Sequence, residues 1–257
     1  MWLSVDPLAN YNPIFESEHY IDGEHNGGFY NSGNLNPYSY TYQNPVVFVD
    51  PNGKQAFFMH GTWGNQQFMS DASQGAIQKT FGNSKKYTER WSGSNSMQAR
   101  RTAAREQFNF IINHRIEGEP ISIVGHSHGG NVGVMAANMV DAYYEGKVPI
   151  NLITINTPVR EEYQLDTSNT STTHYNIYNS QDVVQVSGGT DTSGKGKLGL
   201  AGRTYPNATN IQYKDQVSIF QDVGCGLSGH CGTSKENVKV WLPKLQQAIN
   251  VKQKTQE

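Results

Sequence analysis

The sequence predicts an α/β fold: a mostly parallel sheet flanked by helices, preceded by a loop-rich N-terminal segment. Three observations predict it. From Gln55 onward, short apolar runs alternate with amphipathic stretches, the succession expected of a parallel sheet covered by helices. The apolar runs are short and uninterrupted, as in strands buried within a sheet. Residues 1 to about 53, by contrast, are dense in Asn, Tyr, Gly and Pro, lack helical periodicity and carry Asp-Pro pairs at both ends. The chain therefore divides into an N-terminal segment, residues 1–53, and a main domain, residues 54–257.

Each element of the main domain has a local cause. The run Gln55-Ala-Phe-Phe-Met-His60 predicts a buried strand, broken into a loop by Gly61-Thr-Trp-Gly64, with a helix following near residues 66–80. Ala104, Phe108, Ile111 and Ile112 fall at i, i+4, i+7 and i+8, which predicts one face of a helix ending near Gly118. Pro120-Ile-Ser-Ile-Val124 is the next strand. Val132, Met135, Ala136, Met139, Val140 and Tyr143 then share a helical face, with Gly146 as its terminator. Ile150 to Ile155 predicts a central strand halted by Thr157-Pro158, His174 to Tyr178 another, and Asn210 to Tyr213 a short one after a Gly-rich loop at residues 187–207. Val238, Trp241, Leu242, Leu245 and Ile249 mark a last amphipathic helix, and Pro243 inside that pattern predicts a kink or split.

Composition excludes several functions. Lys and Arg number 20 against 22 Asp and Glu, and a formal charge of −2 gives no long-range field to gather polyanions, so no nucleic acid is expected as a partner. No apolar stretch approaches the roughly 20 residues needed to cross a bilayer, and no basic segment precedes an apolar h-region, so no signal peptide is expected. The only cysteines, Cys225 and Cys231, flank a Gly-rich run and allow either a small disulfide loop or two free thiols.

The chemistry concentrates at Gly125-His-Ser-His-Gly129, a G-x-S-x-G pattern lying between an apolar strand and a periodic helix. A serine at such a turn occupies a strained conformation, and Gly125 and Gly129 let strand and helix approach closely. Its hydroxyl needs a base, and the base needs an oriented carboxylate. In the α/β-hydrolase arrangement the order is Ser, acid, His. Asp182, just beyond the His174–Tyr178 strand, is the first choice of acid, with Asp191 and Asp166 as competitors and a helix or turn cap as its alternative role. His230 is the only histidine after Asp182 and is the candidate base. An oxyanion site needs preorganised N–H groups. The amide of His128 supplies one, and the His60-Gly-Thr-Trp-Gly64 loop the other, with Gly61 turning the backbone so that Thr62 or Trp63 donates.

Two other patterns have weaker chemistry. Gly189 to Lys195 fits most of a phosphate-binding loop, but Gly196 stands where a hydroxyl residue would hold magnesium. Glu16, Glu18, His19 and His25 are better read as solvated loop residues, and two sulfurs with one imidazole make a poor zinc set. No cofactor and no metal are expected.

Taken together, His60-Gly61, Gly125-His-Ser-His-Gly-Gly130, Ile155-Asn-Thr-Pro158, Asn179-Ser-Gln-Asp182 and His230 resemble a lipase-like α/β-hydrolase over residues 55–250. The resemblance implies acyl ester hydrolysis of a lipid through Ser127, Asp182 and His230, with another serine hydrolase chemistry (amidase or thioesterase) or a non-catalytic binding module of the same fold as the alternatives. In the first segment, Trp2-Leu-Ser-Val-Asp-Pro-Leu8, Asn36-Pro-Tyr-Ser-Tyr40, Asn44-Pro45 and Phe48-Val-Asp-Pro-Asn-Gly53 are similar to the end of the core of Rhs-repeat proteins, after which a toxin domain begins. That resemblance implies a bacterial lipase or phospholipase effector of the type VI secretion kind. It also implies a cognate immunity protein and a secretion-apparatus component as partners, with action in or on the target envelope. Arg160 to Thr173 is polar where relatives insert an apolar cap, so the site is expected to be open, covered at most by residues 64–81 or 187–207.

Overall fold

The computed structural model describes residues 55–83, 85–116, 119–189, 200–213, 230 and 238–256, all within the compact unit Lys54–Glu257. The first 53 residues, Asp191, both cysteines and most of the Gly189–Lys195 loop lie outside the described residues. Six parallel strands form one sheet: β1 (Gln55–Met59), β2 (Lys85–Glu89), β3 (Ile121–His126), β4 (Ile150–Ile155), β5 (Thr172–Asn179) and β6 (Thr209–Tyr213), in the order β2-β1-β3-β4-β5-β6. Helices α1 (Asp71–Thr80), α2 (Met97–His114), α3 (His128–Tyr143), α4 (Val183–Ser187) and α5 (Val238–Gln256) complete the described elements.

Packing follows the apolar pattern. On one face, Ala103, Ala104 and Ile111 of α2 and Val132, Ala137 and Val140 of α3 bury against Phe57, Ile123 and Leu152. On the other, Ile77 of α1 and Val238, Trp241 and Leu245 of α5 bury against Phe58, Val124, Ile153 and Ile177. Alternate residues of β1, β3 and β4 thus point into opposite clusters, which is why these strands read as unbroken apolar runs. The chain moves outward from β1 to β2 through α1, then returns past β1 to β3 through α2. Helices of opposite direction fall on opposite faces, as right-handed crossovers require. The order of travel reverses between β1 and β3, and the crevice at their carboxyl ends is where such sheets place ligands.

Several boundaries differ from expectation. Helix α1 begins at Asp71 rather than near residue 66, because the Ser70 hydroxyl caps it by accepting from the Ser73 amide at 3.2 Å. Helix α2 ends at His114, short of Gly118. Helix α3 ends at Tyr143 with Tyr144 as its C-cap, and the expected glycine follows two residues later: Glu145 and Gly146 both have positive φ, with their amides bonded to the Ala142 and Asp141 carbonyls at 3.3 and 2.9 Å. Helix α5 runs through Pro243 without splitting. Strand β2 was not expected, since Lys85-Lys86-Tyr-Thr-Glu89 has no apolar run. It is an edge strand, where charge guards against pairing with other chains.

The link from β4 to β5 contains no helix. Residues 156–171 instead run back along α3, fastened by polar side chains. Asn138 donates to the Gln164 carbonyl at 2.9 Å and accepts from the Asp166 amide and the Asn169 side chain at 3.1 and 3.0 Å, while Asp141 accepts from the Ser171 amide at 3.0 Å. This agrees with the expected absence of a helical cap there. It also fixes Asp166 beside the middle of α3, away from the strand ends. No described helix is long and apolar enough to cross a membrane.

Candidate active site

Ser127 is the hinge between β3 and α3, with φ 54° and ψ −133°. A non-glycine residue rarely adopts this conformation, which costs about 1–3 kcal/mol and persists only where the surroundings enforce it. Here the Ser127 amide donates to the Ile155 carbonyl at 2.8 Å, and the Ser127 carbonyl accepts from the Gly130 amide at 2.9 Å. The flanking glycines are required by contact. A Cβ on Gly125 would strike the Gly129 backbone, and one on Gly129 would strike the backbone of His60. The strand, the helix and the end of β1 therefore meet with no room for a side chain.

The loop after β1 lies directly against the nucleophile. A Cβ on Gly61 would stand 2.6 Å from Ser127 Cβ and 3.2 Å from its Oγ. Of the two expected donors on this loop, Trp63 is ruled out in this conformation. Its amide donates to the Gly93 carbonyl at 2.9 Å, its φ is 53° and the residue is 82% exposed. Thr62 fits. Its amide makes no hydrogen bond among the described residues, and its hydroxyl oxygen is buried without a partner. His128 is the first residue of α3, directly after Ser127.

His60 holds this loop in shape. Its Nδ1 donates to the Gly61 carbonyl at 2.8 Å, leaving Nε2 to face the Trp91 amide at 3.5 Å, and its own carbonyl accepts from Trp91 Nε1 at 2.8 Å. The rings stack at 5.6 Å. Burial is the main cause that pushes the His60 pKa below its usual value, which matches a neutral ring with one donor and one acceptor. Trp91 and Gly93 carry no sequence signal, because they lie on a loop remote from Gly61 in the chain and belong to no motif.

At the other side of the site, Asp182 and His230 meet. His230 Nδ1 lies 2.5 Å from Asp182 Oδ2, with the carboxyl group fully buried and the imidazole nearly so. Asp182 also fills the alternative role considered for it. Its Oδ1 caps α4 by accepting from the Gln185 amide at 3.0 Å, so one carboxylate oxygen serves the helix and the other the imidazole. The main chain of His230 is tied to the nucleophile's neighbour: His126 Nε2 donates to the His230 carbonyl at 2.9 Å, and the two rings lie 4.8 Å apart. With Nδ1 directed at Asp182, a neutral His230 keeps its Nε2 lone pair for a proton. No hydrogen bond joins Ser127 Oγ to His230 among the described residues. No group of three or more His, Cys, Asp or Glu suited to a metal occurs among them either.

The turn before Asp182 is built by asparagines. Asn156, at φ 45°, accepts from the Asn179 amide at 3.0 Å, and the Asn179 side chain accepts from the Gln181 amide at 3.0 Å. Asn156 belongs to the Ile155-Asn-Thr-Pro158 stretch noted in the sequence, and this bond is its local role.

A family model described as lipase (class 3) matches residues 55–188, which is 134 of 257 residues. Comparison with curated proteins gives no match. Among solved structures, the chain is similar to the Bacillus licheniformis lipase BlEst2 in its mature form, with 15% identity and a TM-score of 0.45 over 78% of this chain and 95% of that one. It is also similar to an extracellular α/β-hydrolase from a Paenibacillus species, with 18% identity and a TM-score of 0.32 over 42% of each chain. Phospholipase PlaB from Legionella pneumophila, in complex with thio-NAD, gives 12% identity and a TM-score of 0.34 over 51% of this chain and 38% of that one. The chain thus spans about two fifths of the length of the last two. The matched region holds the elbow at Ser127, the Gly61 loop and Asp182, and by it the chain belongs to the class 3 lipases, a family of lipolytic ester hydrolases.

Proposed function

We propose that the protein hydrolyses lipid esters through Ser127, His230 and Asp182. As Ser127 Oγ bonds to the ester carbonyl carbon, its proton passes to His230 Nε2, and the carbonyl electrons move onto the oxygen. The amides of Thr62 and His128 meet that oxyanion. Asp182 holds the imidazole in the required tautomer and favours the imidazolium. Collapse breaks the ester C–O bond, and His230 gives its proton to the departing alkoxide. Water then attacks the acyl-enzyme by the same path in reverse, releasing the fatty acid and restoring Ser127.

The observation that carries this reading is the Asp182–His230 contact, anchored through His126 to the residue beside Ser127. A fluorophosphonate probe tests it, since only an activated serine reacts. Wild-type protein should label and Ser127→Ala should not. Mass spectrometry of products from defined lipids then separates lipase from phospholipase action. Labelling that survives Ser127→Ala would refute the assignment.

The wider role rests on the first 53 residues, whose similarity to the end of an Rhs core supports an antibacterial effector with an immunity protein. Expression of the chain in a bacterial host, directed to the cytoplasm or the periplasm, tests it. Toxicity should follow one compartment, disappear with Ser127→Ala and be relieved by the immunity protein. A wild-type chain harmless in both compartments would count against the role.

A further inference from the structure

Arg203 reaches the acid's turn from a segment that the family match does not include. Its Nη2 donates to the Asp182 carbonyl at 2.7 Å and its Nε to the Asn179 carbonyl at 3.3 Å, so one planar guanidinium grips both ends of the turn Asn179–Asp182. The arm itself is fixed. The Arg203 carbonyl accepts from Asn176 Nδ2 at 2.8 Å, and Asn176 is fully buried on β5. On the side before Arg203, Gly202 and Val159 exchange both backbone bonds at 2.9 and 3.0 Å, and the Ala201 amide donates to the Val186 carbonyl of α4 at 2.8 Å. On the side after it, the Tyr205 amide donates to Asn210 Oδ1 at 3.1 Å.

We propose that Arg203 is a positioning residue for the acid, acting through the Asp182 main chain to aim its carboxylate at His230. The inference rests on the triad reading above. Asp182 Oδ1 is committed to the α4 cap, so the direction of Oδ2 depends on where the Asp182 backbone sits. Arg203 and Asn156 both fix the ends of that turn from outside it. A shift of the turn by about 1 Å is enough to misplace the imidazole relative to the reacting carbonyl. Lysine cannot replace the grip in full, since its ammonium is a single point of donation where the guanidinium is a rigid fork.

The test uses the full chain as wild type, Arg203→Met and Arg203→Lys, with folding checked by circular dichroism and melting temperature. The far-downfield proton resonance of His230 Nδ1, assigned by its loss in Asp182→Asn, reads the Asp182–His230 geometry without turnover. Hydrolysis of a soluble p-nitrophenyl ester reads kcat and KM. The expected result is that Arg203→Met moves or broadens the resonance and lowers kcat about 10- to 100-fold with KM nearly unchanged, and that Arg203→Lys restores part of both. Should Arg203→Met melt lower but keep the resonance and kcat, Arg203 merely holds the fold and the proposal falls alone. If Arg203→Met does not fold, Arg203→Lys decides by the same readings. Absence of the resonance from the wild type would remove the triad reading and this inference with it.

Discussion

The two halves of the site are built by different physics. Around β1 and β3 the nucleophile is placed by exclusion of volume: Gly61, Gly125 and Gly129 lie where any side chain would collide with Ser127 or with backbone. Around β5 and His230 the acid and base are placed by single hydrogen bonds, to Asp182 from His230, Gln185 and Arg203, and to the His230 carbonyl from His126. Steric placement is all or nothing, because a packed interior cannot yield by more than a few tenths of an ångström. Placement by hydrogen bonds is graded. Substitutions in the first half should abolish fold and activity together, and those in the second should reduce activity while leaving the fold.

Gly129→Ala breaks the steric half most severely. The new methyl meets the His60 backbone, so soluble yield and esterase activity should both fall to background. A variant purified in normal yield with activity within about tenfold of wild type would show that the elbow yields more than its packing implies.

Asp182→Asn acts on the other half and separates chemistry from folding. Asparagine keeps an oxygen to cap α4, whereas the position facing His230 Nδ1 becomes an NH2 group, which donates where the carboxylate accepted and so drives the imidazole to the wrong tautomer. The expected loss is up to about 10⁴-fold in kcat, with a melting temperature within a few degrees of wild type. Asp182→Ala should in addition lose about 1 kcal/mol of stability, for the missing cap. Equal stability of the two variants would mean that the cap contributes nothing here.

His126→Phe probes the base's main-chain anchor. The ring can still pack beside Phe68, at the 6.1 Å separation of the two present rings, but the donor to the His230 carbonyl is gone. About a tenfold fall in kcat is expected, with recovery in His126→Gln, which keeps a donor. An unchanged kcat in His126→Phe would show that the His126 bond does not anchor the base.

This division also explains what could be read from the sequence. Volume exclusion leaves glycines at fixed offsets and buried strands leave apolar runs, so the elbow, β1, β3, β4 and the faces of α2, α3 and α5 were legible. His230 was legible by elimination alone. The hydrogen-bonded half leaves no period. Arg203 lay unnoticed in a Gly-rich loop, Asn176 inside a strand, and Trp91 and Gly93 beyond any motif. The same gap allowed Trp63 to stand as an oxyanion donor, since nothing in its neighbourhood reveals that Gly93 engages its amide. The order of β2 and β1 was equally hidden, because β2 is an edge strand with no apolar run.

The smallest effect at neutral pH belongs to a histidine outside the site. His174 on β5 is buried between Thr154 and the ring of Tyr205. Thr154 has one hydroxyl proton and donates it to Asn176 Oδ1 at 2.9 Å, so it accepts from His174 Nε2 at 2.9 Å. Burial, helped by the charge of Lys252, pushes its pKa down to about 3. Between that value and the unfolded value of about 6.5, the unfolded chain binds a proton that the folded chain refuses, so stability falls as pH falls. The contribution is complete above pH 6.5 and is lost progressively toward pH 3. His174→Gln keeps a donor for Thr154 without a group that titrates in this range. It should flatten the decline of melting temperature between pH 6.5 and 4 and leave esterase activity at pH 7.5 within about twofold of wild type. If wild type and variant decline in parallel, His174 is not the group that couples this sheet to acid.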